Sequence, residues 1–187
     1  MEAKTVYFER PGRENTDEVL RIVGQRAREL GIKTVVVAST GGDTAVQAVE
    51  ALQGLRVIVV THSHGFREQN AQSFTEENRQ MVESKGGIIF TGTHLFAGVS
   101  RAIRNKFNTY VIGDLFASTL KVLGEGMKVV VEISVMAADA GLVRTDEEVI
   151  AIGGTGRGTD TAVVLTPANS QNFFDVKVHE ILCKPHL

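Results

Sequence analysis

The stretch Thr34-Val35-Val36-Val37-Ala38-Ser39-Thr40-Gly41-Gly42-Asp43-Thr44-Ala45 decides the fold. It begins as a β-branched run, the composition of a buried strand. It turns on two glycines, which accept backbone conformations that other residues avoid. It resumes as Ala45, Val46, Ala48, Val49 and Leu52, the spacing of a helix with one apolar face that ends near Gly54. A strand that passes through a glycine turn into a helix is a unit of a parallel sheet.

The same alternation extends outward. Upstream, Lys4–Phe8 reads as a strand and Pro11-Gly12 as a break. A helix from Asp17 to about Leu30 follows, capped by Thr16 or Asn15 and stopped by Gly31, with Val19, Leu20, Val23, Ala27 and Leu30 on one face. Downstream, Leu55–Thr61 is a strand, Thr75–Ser84 a helix and Ile88–Thr91 a strand. The order β-α-β-α-β-α-β implies a parallel sheet with right-handed crossovers. Ligands of such sheets gather at the carboxyl ends of the strands, here Ser39-Thr40-Gly41, Thr61-His62, Thr91-Gly92-Thr93-His94 and Gly153–Thr155.

Ala97–Phe107 and Asp114–Leu123 read as helices. Val129–Met136 favours a strand on propensity. The Ala137-Ala138-Asp139-Ala140-Gly141 that follows favours a helix with a glycine cap, and helix is the expectation adopted. Strands at Val149–Gly153, Thr161–Leu165 and Phe174–Leu182 complete the chain. The expected architecture is one α/β domain over residues 1–187, a three-layer α/β/α sandwich with a mainly parallel sheet.

Composition narrows the partners. Of 187 residues, 43% are hydrophobic and 22% charged, and the net charge of −2 gives no field that recruits nucleic acid or an anionic membrane. With no Trp and two Tyr, stacking on single strands is disfavoured. The lone cysteine, Cys183, allows no internal disulfide. Met1-Glu2-Ala3-Lys4-Thr5 lacks a signal-peptide pattern, and Glu132 and Ser134 break the longest apolar stretch. A cytoplasmic protein is expected.

Two loops carry the chemistry. The first, Ser39–Thr44, ends at a helix start, so amide groups and the helix dipole face whatever lies in front of it. It lacks the Walker lysine, and Asp43 is a candidate helix cap in the plainer reading. The second is Gly153-Gly154-Thr155-Gly156-Arg157-Gly158-Thr159-Asp160-Thr161. Its GxGxG spacing and the strand after it do not fit a dinucleotide fingerprint. It is either a second anion loop, with Arg157 on a phosphate, or a hairpin tip with a solvated charge. His62 and His64 form an H-x-H pair whose only histidine companion nearby is His94, which suits a polar pocket lining better than a metal site. The segment His62–Asn70 is long enough to act as a lid. Ser39 has no GxSxG context, and no pair of carboxylates stands out as acid and base.

Four segments together resemble a known family: Ser39-Thr40-Gly41-Gly42-Asp43-Thr44-Ala45; Thr61-His62-Ser63-His64-Gly65-Phe66-Arg67; Thr91-Gly92-Thr93-His94; and Lys128–Ile133 through Met136–Gly141 to Ile152–Gly158. In that order they are similar to the pyruvate kinase C-terminal-domain-like family, especially its short stand-alone members. The resemblance implies no pyruvate kinase activity, because that chemistry sits in a barrel of about 250 residues which 187 cannot hold. The kinase domain binds a sugar phosphate on its Thr/Ser-Gly loop, but Asp43 stands here where a basic or neutral residue is usual. Stand-alone members are associated with flavin mononucleotide. The resemblance thus implies a phosphate on Ser39, Thr40, Gly41, Gly42, Asp43 and Thr44, with the second glycine loop as the alternative seat. It implies a ring and ribityl chain along Thr61, His62, Thr91, Thr93 and His94 and the loop residues Gly153, Gly154, Thr155, Gly156, Arg157 and Thr159.

The resulting expectation is a binding protein for a phosphorylated cofactor, flavin mononucleotide. For a flavin-dependent oxidoreductase the residues nominate no catalytic proton donor; His62 and His94 are the nearest candidates. The alternatives are a regulatory module that senses a sugar phosphate or nucleotide, and a small phosphate-ester hydrolase. A homo-oligomer is expected by analogy with the kinase.

Overall fold

In the computed structural model, which describes residues 2–187, the β-branched runs Thr34–Ala38, Arg56–Thr61, Ile88–Thr91, Val149–Gly153 and Thr161–Thr166 all enter one sheet. In chain order the elements are β1 (Val6–Phe8), α1 (Thr16–Leu30), β2 (Thr34–Ala38), α2 (Asp43–Ala51), β3 (Arg56–Thr61), α3 (Glu76–Ser84) and β4 (Ile88–Thr91). They continue with α4 (Gly98–Phe107), α5 (Ile112–Lys121), α6 (Glu125–Asp139), β5 (Val149–Gly153), β6 (Thr161–Thr166) and β7 (Lys177–Pro185). The sheet order is β1-β7-β6-β5-β2-β3-β4. β2, β3, β4 and β5 run parallel, β6 is antiparallel to both its neighbours, and β1 lies parallel to β7.

Strands covered on both faces have no use for a polar side, and this is why β2, β3 and β5 read as continuous β-branched runs. Val35, Val37, Val57, Val59, Ile150 and Ile152 face the core shared with α1, α2 and α3. Val36, Ile58, Val60 and Ala151 face the core shared with α6. The three-layer α/β/α arrangement follows from this division.

The segment Val129–Met136 is helical despite its strand-like composition. Val130, Val131, Ile133, Met136 and Ala137 reach the sheet from one helix, and their burial outweighs weak intrinsic preferences. α6 also begins earlier than expected, at Glu125. Near the start of α6, a Cβ on Gly126 would lie 2.1 Å from Thr161 Oγ1, so the first turn rests directly on the beginning of β6.

Other boundaries move for local reasons. The last strand begins at Lys177 rather than Phe174 and runs on to Pro185. Ser170–Asp175 coils into a short 3-10 helix, held where Asp139 accepts the Ser170 amide, with Phe173 packed on Phe96 and Phe116. α5 starts at Ile112 because buried Asp114 accepts the Val111 amide and pairs with Arg104. A 3-10 turn, Arg13–Asn15, leads into α1, which begins at Thr16 without a side-chain cap from Asn15. Cys183 is fully buried in β7, between Val6 of β1 and Ala162 of β6. Among the described residues no helix is long and apolar enough to cross a membrane.

Candidate functional site

The parallel strands β2 and β3 end side by side, and above them opens a cavity of about 590 Å³. Its floor is Ala38, Val60 and Thr61. Its walls are the loop into α2, the first two turns of α6, the β5–β6 loop and the long connection after β3.

The loop into α2 is shaped by a close approach. Gly42 has φ 108°, and a Cβ there would lie 2.4 Å from Asn78 Cβ. Asn78 Nδ2 donates to Gly41 O at 3.0 Å, and the Thr75 amide donates to the same oxygen at 3.2 Å. The start of α3 therefore fixes the loop. The N-cap of α2 is Gly42, which has no side chain to offer the helix. Asp43 is not the cap: it is the first helical residue, exposed, with Oδ1 3.4 Å from Asn78 Nδ2. Buried Ser39 accepts the Ala45 amide at 3.3 Å, and Thr44 is buried beside it. The positive end of the α2 dipole thus faces the cavity.

The β5–β6 loop is a hairpin tip, as the plainer reading had it, and it contributes to the cavity as well. Fully buried Asp160 organises it. Its Oδ2 accepts the amides of Gly12 and Thr155, each at 3.0 Å, and its Oδ1 accepts the Thr161 hydroxyl at 2.8 Å. Thr159 donates its hydroxyl to Gly153 O at 2.8 Å and its amide to Thr16 Oγ1 at 3.2 Å. Gly153, Thr155 and Thr159 therefore build the loop without lining the cavity, while Gly154, Gly156, Arg157 and Gly158 do line it.

At the other end lie three rings. The Phe66 ring centre is 4.0 Å from that of His62 and 4.9 Å from that of His94, and the imidazoles are 5.2 Å apart. Burial pushes His62 down to about 4, helped by nearby His94 and Arg67, so the ring is neutral at pH 7. Its Nε2 lies 3.4 Å from Thr40 Oγ1. His94 Nδ1 is 3.6 Å from Oε2 of Glu132, which is only 2% exposed. Burial alone would raise the Glu132 carboxyl, but His94, the paired Lys128 and the Phe96 amide hold it down to about 2. Two ring atoms, His62 Nδ1 and His94 Nε2, are buried with no hydrogen-bond partner among the described residues. An unsatisfied buried group of this kind costs about 1–3 kcal/mol.

Of the residues singled out from sequence, Ser39, Thr40, Gly41, Asp43, Thr44, Thr61, His62 and His94 also line the cavity. Gly42 stands behind the loop, packed on Asn78. Thr91 lies under the floor, its hydroxyl 2.6 Å from that of Thr61, and Thr93 is exposed away from the cavity. His64 is exposed and takes no part in the ring cluster, and among the described residues no three His, Cys, Asp or Glu side chains gather as a metal site requires. The sequence reading missed Arg13, Phe66, Asn78, Lys128 and Glu132. The clue to Glu132 was its position, a carboxylate inside the most apolar stretch of the chain, where a charge survives only with partners.

Comparison with known proteins gives two findings. The family model described as pyruvate kinase, alpha/beta domain, matches residues 17–165. Among solved structures, an O-ureido-L-serine-bound mutant of O-ureido-L-serine synthase is 16% identical, with 72% of this chain and 49% of that chain covered and a TM-score of 0.29. The chain spans about half the length of that protein, and a likeness this slight carries no argument.

Proposed function

The chain belongs to the pyruvate kinase alpha/beta domain family, and we propose that it binds a phosphorylated small molecule, flavin mononucleotide, in the cavity above β2 and β3. One observation carries the reading: a single cavity joins a helix N-terminus, reached through glycines and hydroxyl residues, to a wall of three rings. The first end suits a phosphate, which gains from amide donors and the α2 dipole. The cations Arg13, Arg67 and Arg157 line the same space, and Lys128 is already committed to Glu132. The second end suits a flat, partly apolar ring. The volume of about 590 Å³ lies within the range of roughly 300–1,000 Å³ typical of small-molecule sites. A bound flavin would supply hydride or electron transfer, and the protein would supply position and electrostatics.

Three parts of the chain divide the work. Ser39, Thr40 and Thr44 hold the phosphate with the loop amides. Arg157, at the tip of the β5–β6 loop, balances its charge. Neutral His62, with His94 beside it, faces the ring at the other end.

The test is a visible spectrum of freshly purified protein, mass spectrometry of what denaturation releases, and titration with added ligand. A flavin band, or uptake of flavin mononucleotide, is the expected result. The double variant Ser39→Ala, Thr44→Val should weaken that binding about tenfold or more. Unchanged affinity would remove the first loop from the site. A protein that takes up no flavin but binds a nucleotide or sugar phosphate would be a sensor instead.

A further inference from the structure

The three rings at the end of the cavity close on one another in an arrangement that serves the phenyl group and starves the imidazoles. His62 Nδ1 and His94 Nε2 are sealed from solvent, and the ring that seals them has neither a donor nor an acceptor to offer. Phe66 belongs to the irregular connection between β3 and α3, where its backbone is fastened by a turn, its amide donating to Ser63 O at 3.3 Å. Behind it, against α4, lies a second hollow of about 370 Å³. Phe66, Arg67, His94 and Ala97 line both hollows and form the partition between them. Arg101 of α4 sits 4.4 Å from the centre of the Phe66 ring, on the side of the second hollow.

We propose that Phe66 occupies the seat of the ligand's planar ring, and that a phosphorylated heteroaromatic ligand displaces it toward α4 and gives His62 Nδ1 and His94 Nε2 the partners they lack. This rests on the binding reading above. Glu132 selects the chemistry of the contact. With a carboxylate facing Nδ1, the neutral His94 ring that the contact requires carries its proton on that atom and presents a lone pair at Nε2. Nε2 then accepts from an N–H at the edge of the ring, such as the imide of a flavin. Phosphorylated ligands without a planar ring, such as sugar phosphates, leave both nitrogens unpaired and Phe66 in place.

Calorimetric titration of the intact chain with flavin mononucleotide, riboflavin and inorganic phosphate tests this. Phe66→Ala, a change in an exposed connection, should tighten both flavins about tenfold and leave phosphate unchanged. His94→Leu should weaken both flavins about tenfold, again without effect on phosphate, and His94→Gln should recover part of the loss. Weaker or unchanged flavin binding in Phe66→Ala overturns the proposal, because Phe66 would then be a stacking platform or a bystander. So does flavin binding that is indifferent to His94→Leu while still sensitive to the Ser39→Ala, Thr44→Val pair; the proposed function would survive that outcome. Failure of every probe to bind any variant would sink both.

Discussion

Glu132 and His62 meet burial in opposite ways. Glu132 keeps its charge, because burial is overcome by His94, Lys128 and the Phe96 amide, and its carboxyl falls from 4.5 to about 2. His62 gives its charge up: burial, with His94 and Arg67 nearby, takes it from 6.5 to about 4. In both cases the unfolded chain binds a proton more readily than the folded one, so each contributes stability at neutral pH that acid removes. The His62 contribution is complete above 6.5 and lost as pH falls toward 4. The Glu132 contribution is complete above 4.5 and lost toward 2. The Glu132 contribution is worth ~3 kcal/mol by linkage, and that of half-buried His62 is smaller because solvent screens it. Urea unfolding midpoints should therefore fall in two stages on acidification, and His62→Asn should flatten the first stage alone. A midpoint that does not move between pH 7 and pH 4 would refute the assignment. Sequence could place His62 and His94 at strand ends, and both line the cavity. It could not pair His94 with Glu132, because the two meet only when α6 lies across the sheet.

At the scale of elements, the β5–β6 hairpin tests how much of a glycine-rich loop is architecture. A Cβ on Gly158, where φ is 102°, would lie 2.5 Å from Arg13 Cα, and one on Gly154 would lie 2.6 Å from Gly158 O. Gly156 has open space around it and only its φ of 74° to defend. Replacement by Ala should cost about 1 kcal/mol at Gly156 and clearly more, ~3 kcal/mol, at Gly158, read from thermal or urea unfolding. Equal costs would mean that the loop relaxes freely away from α1. Periodicity made most elements legible, since β2, β3 and β5 carry runs that only a twice-covered strand would bury. α6 was legible from its small-residue tail against the trend of its propensity. The start of β7 was not, because Phe173 and Phe174 resemble strand residues while Phe173 joins a ring cluster with Phe96 and Phe116, and Phe174 is 83% exposed.

For the molecule as a whole, strand order lay beyond local reading. β1 does not sit beside β2; it pairs with β7 at the far edge, so Val6 lies opposite Cys183. The single reversal, β6, places the hairpin tip at the same end of the sheet as the loop into α2, and the cavity depends on that coincidence. Such pairings join segments far apart in the chain and leave no periodic trace. Cys183 turns the same topology into an instrument. The residue lies between two neighbouring strands, fully buried in the core shared with α1, and burial pushes its thiol up to about 12. The thiolate that alkylating reagents attack is therefore scarce until the edge formed by β1, β7 and β6 separates. Alkylation of native protein at neutral pH should be slow and should quicken with urea in step with unfolding, whereas immediate stoichiometric labelling would contradict the burial. The one sulfhydryl thus acts as a stopwatch for the sheet: it times how often the far edge breathes, independently of anything that happens in the cavity.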